Sequence, residues 1–165
     1  ISNKDKVLCA KFRPGHFEGV LAVINQFLSK IHAKYMFLGE KDYQQIYLIK
    51  NFIKKKFKTK IVTCKTIRLK NYLAFSSRNF LLSNKDISKA ATITKEIYKF
   101  YYLIKKNFNN KNKINSIHNY LKFKKIKYDY LQIRNKNNLS TRFNKNNFKI
   151  FIAYYIKNIR LIDNF

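Results

Sequence analysis

The 165-residue chain is long enough for one moderate domain or for part of a two-domain protein. Hydrophobic residues make up 46% of it and aromatic residues 16%, which excludes a disordered polar tail and predicts a packed core. Its 36 Lys and Arg against 8 Asp and Glu give a net charge of +28, which suggests a polyanionic partner. However, the lysines lie on every segment, and Asn, Ile, Phe and Tyr are enriched with them, as in an AT-rich coding sequence. We favour this compositional explanation, and a basic nucleic-acid-binding module stays an alternative.

The two cysteines, Cys9 and Cys64, show no Cys-x-x-Cys spacing and no nearby His cluster. We therefore expect no zinc site and two reduced thiols in the core, as is typical of a cytoplasmic protein. No apolar run approaches the ~18 residues of a membrane span, so we expect no membrane partner. The chain opens with Ile1 and not with methionine, and we expect its native start to lie upstream.

The N-terminal part predicts a helix followed by a strand-helix-strand unit. Apolar residues recur every three or four positions over residues 17–31, which is typical of an amphipathic helix. The apolar run 35–38 stops at Gly39 and predicts a buried strand, and residues 42–57 return to helical spacing. The β-branched segment 60–64 predicts a second strand, parallel to the first. This order is that of a Rossmann-like element.

A domain boundary is predicted near Ile67, because residues 66–79 are polar and irregular. Beyond them, Ser83 is followed by Asp86 three residues later, a spacing that predicts the N-cap of a helix. The helical pattern continues to about Lys106. A long helix is therefore expected early in the second half of the chain.

The C-terminal part predicts a small α+β domain. The Asn- and Lys-rich stretch 105–119 predicts a loop, with a second helix over residues 114–124. A short antiparallel sheet is expected from three segments with strand-like content: 128–134, 148–156 and 160–163. The predicted fold class is α/β, with the C-terminal part of a Rossmann-like domain over residues 1–67 and a small α+β domain with a short antiparallel sheet over residues 68–165.

A cluster of rare residue types marks one turn of the predicted Rossmann-like element. All three glycines lie within the first 39 residues, and Gly39 is followed by the acids Glu40 and Asp42 with Lys41 between them. These residues stand where a strand ends and a helix begins, a place where backbone N–H groups face bound anions. An ordinary turn with a helix cap explains the same pattern. The turn is a candidate anion site that other motifs must support.

Three spaced motifs together resemble those of the pantothenate synthetase family: RPGHF at 13–17, GEKDYQQ at 39–45 and LAFSSRN at 73–79. The closing segments YLQIR at 130–134 and RLIDN at 160–164 resemble that family too, so the resemblance covers nearly the whole chain. It implies a pantoate:beta-alanine ligase that forms AMP. Such an enzyme activates pantoate with Mg-ATP to pantoyl adenylate, which beta-alanine then attacks. The resemblance also implies a homodimer.

By that resemblance, residues 1–67 belong to a nucleotide- and pantoate-binding domain, residues 68–165 form a lid domain, and the glycine turn binds ATP. Lys41 would contact the phosphates, Gly39 and Asp42 would hold the ribose, and Glu40 would complete the turn. The backbone of Ile67 would face the adenine. Each of these roles is implied by the family's motifs.

The segment Phe75, Ser76, Ser77 and Arg78 resembles the family's mobile phosphate-binding loop. Its residue types suit that task, because a guanidinium offers a planar fork of donors and hydroxyls are compact ones. A polar surface turn is the alternative. With Lys41, the two serines and the arginine are the expected catalytic residues.

Gln45 resembles the family's pantoate-binding glutamine, and its amide can both donate and accept, as a hydroxy acid requires. A solvated helix glutamine is the alternative. His16 resembles a histidine of the family, and a structural hydrogen bond explains it equally well. The pantoate methyl groups would meet an apolar wall of positions that are core residues in most proteins, namely Val20, Val23, Ile24 and Leu38.

The chain departs from the family in two ways. It has Lys65, Thr66 and Tyr72 where proline or glycine is common, so the loop after Ile67 is expected to differ in geometry. The family's N-terminal histidine motif and its other pantoate glutamine are not present in these 165 residues, so the chain alone is expected to be inactive. Another adenylate-forming or nucleotidylyl-transferring enzyme of similar fold remains a further alternative, although the Gln pair and the RPGHF segment argue against it.

Overall fold

The computed structural model of the chain describes residues 1–54, 56–109 and 114–165. Contacts between Cα atoms divide them into two compact units: unit 1 (residues 1–65 and 137–139) and unit 2 (residues 66–136 and 140–165). Part of the loop predicted over 105–119, residues 110–113, lies outside the described residues. The functional roles assigned above to residues 1–67 and 68–165 stay predictions.

Unit 1 contains a parallel strand-helix-strand element, as predicted. The strands pair from Tyr35 opposite Lys60 to Gly39 opposite Cys64. The helix predicted over residues 42–57 ends earlier, at Ile53. The reason is that the next three residues are lysines, which cannot continue its buried apolar face. In chain order the elements are α1 (Cys9–Phe12), α2 (His16–Lys30), β1 (Tyr35–Gly39), α3 (Tyr43–Ile53) and β2 (Lys60–Cys64).

One core cluster of unit 1 joins α2 to α3. Leu28 of α2 packs with Ile49 and Ile53 of α3, and partly buried neighbours surround these three side chains. The prediction that the first strand is buried is wrong, because Tyr35 is 46% exposed and Phe37 is 66% exposed. Parallel sheets are normally covered on both faces, so this two-stranded sheet exposes more apolar surface than usual.

The two cysteines differ in burial. Cys9 lies buried in α1, whereas Cys64 is exposed. The expectation that both thiols lie in the core is therefore wrong for Cys64. The reason is its position as the last residue of β2, at the open end of a two-stranded sheet.

Unit 2 is an antiparallel three-stranded sheet with two helices, which confirms the predicted α+β part of the fold. The sheet has the order β3-β4-β5, so β4 is its central strand. Ser83 caps the long helix as predicted, because its Oγ accepts a hydrogen bond from the backbone N–H of Asp86 at 3.3 Å. The elements are α4 (Asn84–Lys106), α5 (Ile114–Phe123), β3 (Tyr128–Asn135), β4 (Phe148–Ile156) and β5 (Ile159–Asn164).

One extensive core holds unit 2 together. Helix α4 contributes Ile93, Ile97 and Ile104, and the central strand contributes Ile150 and Ile152, all of them at most 1% exposed. Burying each such side chain stabilises the fold by about 2 kcal/mol. None of the helices in the described ranges is long and apolar enough to cross a membrane.

Candidate functional site

The glycine turn of unit 1 lies at the carboxyl end of a parallel strand. Gly39 is the last residue of β1, Glu40–Asp42 form one 3-10 turn, and α3 begins at Tyr43. Ligands of α/β sheets bind at this end of the strands, where the positive end of a helix dipole also favours anions. The four turn residues of the sequence prediction are therefore presented together at the start of α3.

Lys41 is held close to the turn. Its side chain is 17% exposed, and its Nζ lies 3.6 Å from Oδ2 of Asp42, which is 46% exposed. Ion pairs that are open to water in this way are worth little, so the pair would yield readily to a more highly charged anion. The ammonium is a compact charge beside a helix N-terminus, which suits a phosphate group.

The two neighbouring glutamines of α3 have different surroundings. Gln44 is 5% exposed, and its Nε2 donates to the carbonyl oxygens of Val7 at 2.7 Å and Asp5 at 3.2 Å. Its Oε1 is buried with no hydrogen-bond partner. Gln45 is half-buried and points elsewhere, because successive residues of a helix are rotated by about 100°. Gln44 thus connects the N-terminal segment to α3. The described hydrogen bonds include no comparable structural bond of the Gln45 side chain, and its role as a pantoate ligand stays a prediction.

The proposed apolar wall is largely part of the unit 1 core. Val20, Ile24 and Leu38 are partly buried against Leu28, Ile49 and Ile53, whereas Val23 is 53% exposed. Three of the four residues therefore have a packing role, and contact with pantoate stays a prediction for all of them.

His16 makes a local hydrogen bond. Its Nε2 lies 2.9 Å from Nη1 of Arg13. An arginine can only donate, so Nε2 accepts and the ring proton resides on Nδ1. His16 therefore makes the structural hydrogen bond that was one of its two explanations. It is the first residue of α2 and follows Gly15, whose φ of 77° lies in the left-handed region.

In unit 2 the residues 67–75 form a tight turn. The backbone N–H of Phe75 donates to the carbonyl of Ile67 at 2.9 Å, and that of Leu69 donates to the carbonyl of Leu73 at 2.9 Å. The side chains of Ile67 and Phe75 are 75% and 50% exposed. Tyr72, at the tip, has a φ of 73°, in the left-handed region that favours glycine. The loop in which altered geometry was expected therefore contains a strained backbone position, at Tyr72.

The predicted phosphate loop follows this turn directly. Oγ of Ser76 accepts from the backbone N–H of Arg78 at 3.3 Å, and the 3-10 helix Ser77–Leu81 begins there. Ser77 and Arg78 are exposed, as residues that bind a ligand from solvent must be.

Asn79 is a buried support that the sequence analysis did not select. It is 6% exposed; its N–H donates to the carbonyl of Ser76 at 2.9 Å and its Nδ2 to that of Ala74 at 3.1 Å. Its Oδ1 is buried without a partner. An asparagine in a polar segment gives no sequence signal of burial. The one available signal was its position directly after Arg78 of the predicted phosphate loop.

The candidate residues thus form two local groups. Unit 1 brings together Gly39, Glu40, Lys41, Asp42 and Gln45 within one turn and the start of one helix. Unit 2 brings together, in one continuous segment, Ile67, Phe75, Ser76, Ser77 and Arg78.

Comparison with known proteins identifies relatives over the whole chain. The family model described as pantoate-beta-alanine ligase matches residues 1–165. A pantothenate synthetase of Francisella tularensis subsp. mediasiatica is 41% identical over 164 residues, which cover 96% of this chain and 53% of that protein. One of Buchnera aphidicola is 38% identical over 164 residues and is covered to 57%. The chain therefore spans little more than half the length of these relatives.

Solved structures give the same result. A pantothenate synthetase from Thermus thermophilus superimposes with a TM-score of 0.88 over 100% of this chain and 61% of its own; at 24% identity it supports the fold alone. A pantoate-beta-alanine ligase from Francisella tularensis, solved with beta-gamma ATP and beta-alanine, is 36% identical, with a TM-score of 0.73 over 100% of this chain and 56% of its own. Together with the match over residues 1–165, these likenesses establish that the chain belongs to the pantoate-beta-alanine ligase family.

Proposed function

We propose that the chain supplies part of the active site of an ATP-dependent ligase that joins pantoate to beta-alanine. Pantoate would react with ATP to give pantoyl adenylate and pyrophosphate, and the amine of beta-alanine would then displace AMP to give pantothenate. The observation that carries this proposal is the position of Lys41, at the carboxyl end of a parallel strand beside a helix N-terminus, in a chain that matches the ligase family throughout. The relative solved with beta-gamma ATP and beta-alanine supports the choice of substrates.

The residue types favour catalysis by positioning and by charge. Lys41 and Arg78 would neutralise the phosphates as negative charge shifts to the departing pyrophosphate, and the hydroxyls of Ser76 and Ser77 would donate to phosphate oxygens. The ribose would lie against the turn at Gly39 and Asp42, completed by Glu40. The adenine would lie at the backbone of Ile67 and beside Phe75. No side chain needs to act as a covalent nucleophile in such a reaction.

Magnesium belongs to this proposal as the ion that accompanies ATP. Within the described ranges, His, Cys, Asp and Glu side chains do not gather in groups of three or more. Magnesium in nucleotide sites is held mainly by phosphates and water and needs only one or two carboxylates, so a dedicated ligand cluster is not required. The ion would neutralise part of the triphosphate charge.

The decisive experiment removes the ammonium of Lys41 and measures pantoate-dependent pyrophosphate release. The 165-residue chain is assayed alone and together with a polypeptide that supplies the part of the relatives it does not span; we expect release only from the pair. A charge pair ~4 Å apart is worth about 4 kcal/mol at an effective dielectric near 20, so Lys41→Ala in the pair should slow adenylation by two to three powers of ten. Lys41→Arg should restore little, because the guanidinium is broader than an ammonium.

Lys50→Ala is the matched control, since Lys50 lies on helix α3, which follows the turn of Lys41, and is an exposed lysine whose Nζ donates to Oγ1 of Thr63 at 3.3 Å. An undiminished rate with Lys41→Ala, or an equal loss with Lys50→Ala, would contradict the assigned role. Robust release by the chain alone would refute the expectation that it is inactive by itself.

The two glutamines separate substrate binding from folding. Gln45→Ala should raise the KM for pantoate, because losing one hydrogen bond to a buried polar ligand costs ~1–3 kcal/mol, and it should leave ATP affinity and stability unchanged. Gln44→Ala should lower stability instead, because it removes the bonds to Asp5 and Val7. If Gln45→Ala weakens ATP and pantoate alike, the pantoate assignment is wrong.

Gly39 offers a test of ligand approach that leaves the fold intact. Its φ of −73° suits any residue, and a Cβ added there would meet no atom within 4 Å. Gly39→Ala should therefore fold normally and yet bind ATP more weakly, if a ribose lies against this backbone. Unchanged ATP affinity, measured by calorimetry on the reconstituted pair, would remove Gly39 from the site.

The family resemblance favours a homodimer in the cytoplasm.

Binding of the chain to nucleic acid should rest on charge alone and should be nonspecific and strongly salt-dependent. Electrophoretic shifts with several DNA and RNA sequences test this, and a preference of ~10³-fold for one sequence at physiological salt would revive the nucleic-acid alternative.

A further inference from the structure

The side chain of Arg68 joins separate parts of unit 2. Its Nη1 donates to Oδ2 of Asp163 at 2.7 Å, and its Nη2 donates to Oδ1 of the same carboxylate at 2.9 Å. Nη2 also donates to the carbonyl of Asn164 at 3.1 Å, and Nη1 to the carbonyl of Tyr72 at 3.0 Å. One guanidinium thus connects the end of β5 to both the start and the tip of the turn 67–75.

The surroundings of this ion pair make it strong. The Arg68 side chain is 19% exposed and that of Asp163 is 4% exposed. The guanidinium carbon lies 4.9 Å from the ring centre of Phe165 and 5.8 Å from that of Tyr98. A two-bond arginine-carboxylate pair fixes geometry as well as distance, and losing one partner leaves an uncompensated buried charge. The pair therefore fixes the turn to the sheet, in addition to the packing of Leu73 in the core of unit 2.

The same turn presents the predicted nucleotide-binding residues. Ile67 is the neighbour of Arg68, Phe75 closes the turn by donating to the carbonyl of Ile67, and Ser76 follows at once. We propose that Arg68 and Asp163 are positioning residues, which hold the segment 67–78 in the geometry that binds ATP. This role rests on the ligase function proposed above. It gives a purpose to the closing RLIDN segment, whose aspartate holds the turn that carries several predicted ligand residues.

Amide hydrogen exchange of the 165-residue chain tests the positioning role without any ligand. The N–H groups of Leu69 and Phe75 are bonded within the turn and report its opening. In Asp163→Asn and in Arg68→Lys, these two amides should exchange roughly tenfold faster or more, because opening no longer has to break the charged pair. Amides of the central strand β4 should keep their rates. Arg68→Lys should resemble Asp163→Asn, since a lysine cannot form the two-bond fork.

Asp129→Asn is the matched control. Asp129 accepts from Nε of Arg160 at 2.7 Å and from the hydroxyl of Tyr155, and the two charged side chains are 11% and 16% exposed. Asp129 and Arg160 thus form a second well-buried ion pair of unit 2. Among the described hydrogen bonds, none joins Asp129 to the turn 67–75. Asp129→Asn should leave the Leu69 and Phe75 amides unchanged. Unchanged amides in Asp163→Asn, or equal acceleration in Asp129→Asn, would overturn the inference.

ATP affinity of the reconstituted pair separates positioning from the function itself. Asp163→Asn should weaken ATP binding on the order of tenfold to a hundredfold, the effect expected when binding groups are misplaced by ~1 Å, whereas Asp129→Asn should not. Arg78→Ala tests the nucleotide site directly. If Arg78→Ala loses affinity and Asp163→Asn does not, the positioning role fails and the proposed function stands. If Arg78→Ala binds ATP normally, the nucleotide assignment of this segment fails, and the positioning role fails with it.

Discussion

The two units of the chain achieve their folds in different ways. In unit 2, β4 is buried along nearly its whole length between two neighbouring strands and packs with α4 in one extensive core. In unit 1 the described cluster between α2 and α3 has three buried members, Leu28, Ile49 and Ile53, and the parallel sheet leaves Phe37 66% exposed. Since buried apolar area is the main source of stability, unit 2 should be the more stable body and unit 1 the more easily opened one.

The largest effect should come from the core of unit 2. Ile97 is 1% exposed on the buried face of α4, and Ile97→Ala should lower the free energy of unfolding of this unit by about 3 kcal/mol through lost burial and a cavity. Urea unfolding followed by amide signals of β4 measures this directly. Equal changes in the α3 signals would show that the units unfold together, which would break the comparison.

A smaller effect is expected for the equivalent change in unit 1. Ile49 is 0% exposed, yet few other buried side chains surround it, so the site can partly collapse. Ile49→Ala should cost about 2 kcal/mol, at the low end for a buried isoleucine. The measurement is urea unfolding followed by α3 amides, with the exposed Val23→Ala as control. A cost above that of Ile97→Ala would reverse the proposed order of the two cores.

The turns that carry the predicted sites also differ, and substitutions at Tyr72 sharpen that difference. Gly39 in unit 1 has a negative φ, whereas Tyr72 in unit 2 has a φ of 73°. Tyr72→Gly should be about 1 kcal/mol more stable than Tyr72→Ala, because both remove the ring and only glycine adopts this region without strain. Thermal unfolding of the two variants decides it. If alanine is the more stable of the two, the backbone at this position is not left-handed.

The smallest expected effect is the pH dependence that Asp86 gives to the stability of unit 2. The ammonium of Lys157, at 2.6 Å, and the hydroxyl of Ser83 hold the pKa of Asp86 below its ordinary value of 3.8. A lowered folded-state pKa stabilises the fold at pH values above 3.8, and that stability is lost as the pH falls through the folded-state pKa. Denaturation of the wild type and of Asp86→Asn at pH 6 and pH 3 should give curves that converge at the lower pH. A constant difference would exclude this carboxylate as the cause.

The sequence was sufficient for elements whose pattern is local. The segment 148–156 was predicted with the bounds that β4 has, and Ser83 with Asp86 identified the N-terminus of α4. Burial at the open end of a sheet depends on partners elsewhere in the fold, which is why the exposure of Cys64 was missed. Likewise, Arg68 and Asp163 lie 95 residues apart, and no local pattern indicates that they meet.

For the candidate site, the motifs selected the residues that are predicted to contact a ligand but not the buried residues that support them. Gln44 and Gln45 are identical in type, and only the structure shows that Gln44 is the one bonded to Val7. Asn79 was visible as the residue after Arg78, but its burial beneath the loop follows from the path of the chain. Roles in contact with ATP or pantoate remain predictions from the motifs.

The engagement of the acids inside unit 2 has a practical consequence for experiments in solution. Asp86, Asp129 and Asp163 are each paired with a cationic side chain and are themselves little exposed, so they present little negative charge beside the lysines that give the chain its net charge of +28. Anions of the surrounding electrolyte must balance this positive charge, and any multivalent anion in the buffer will accumulate around the molecule. ATP is itself such an anion. Its apparent affinity at low ionic strength will therefore include loose association with the lysines, and only the part that survives at about 0.15 M salt, where the Debye length is ~8 Å, reports on a defined site.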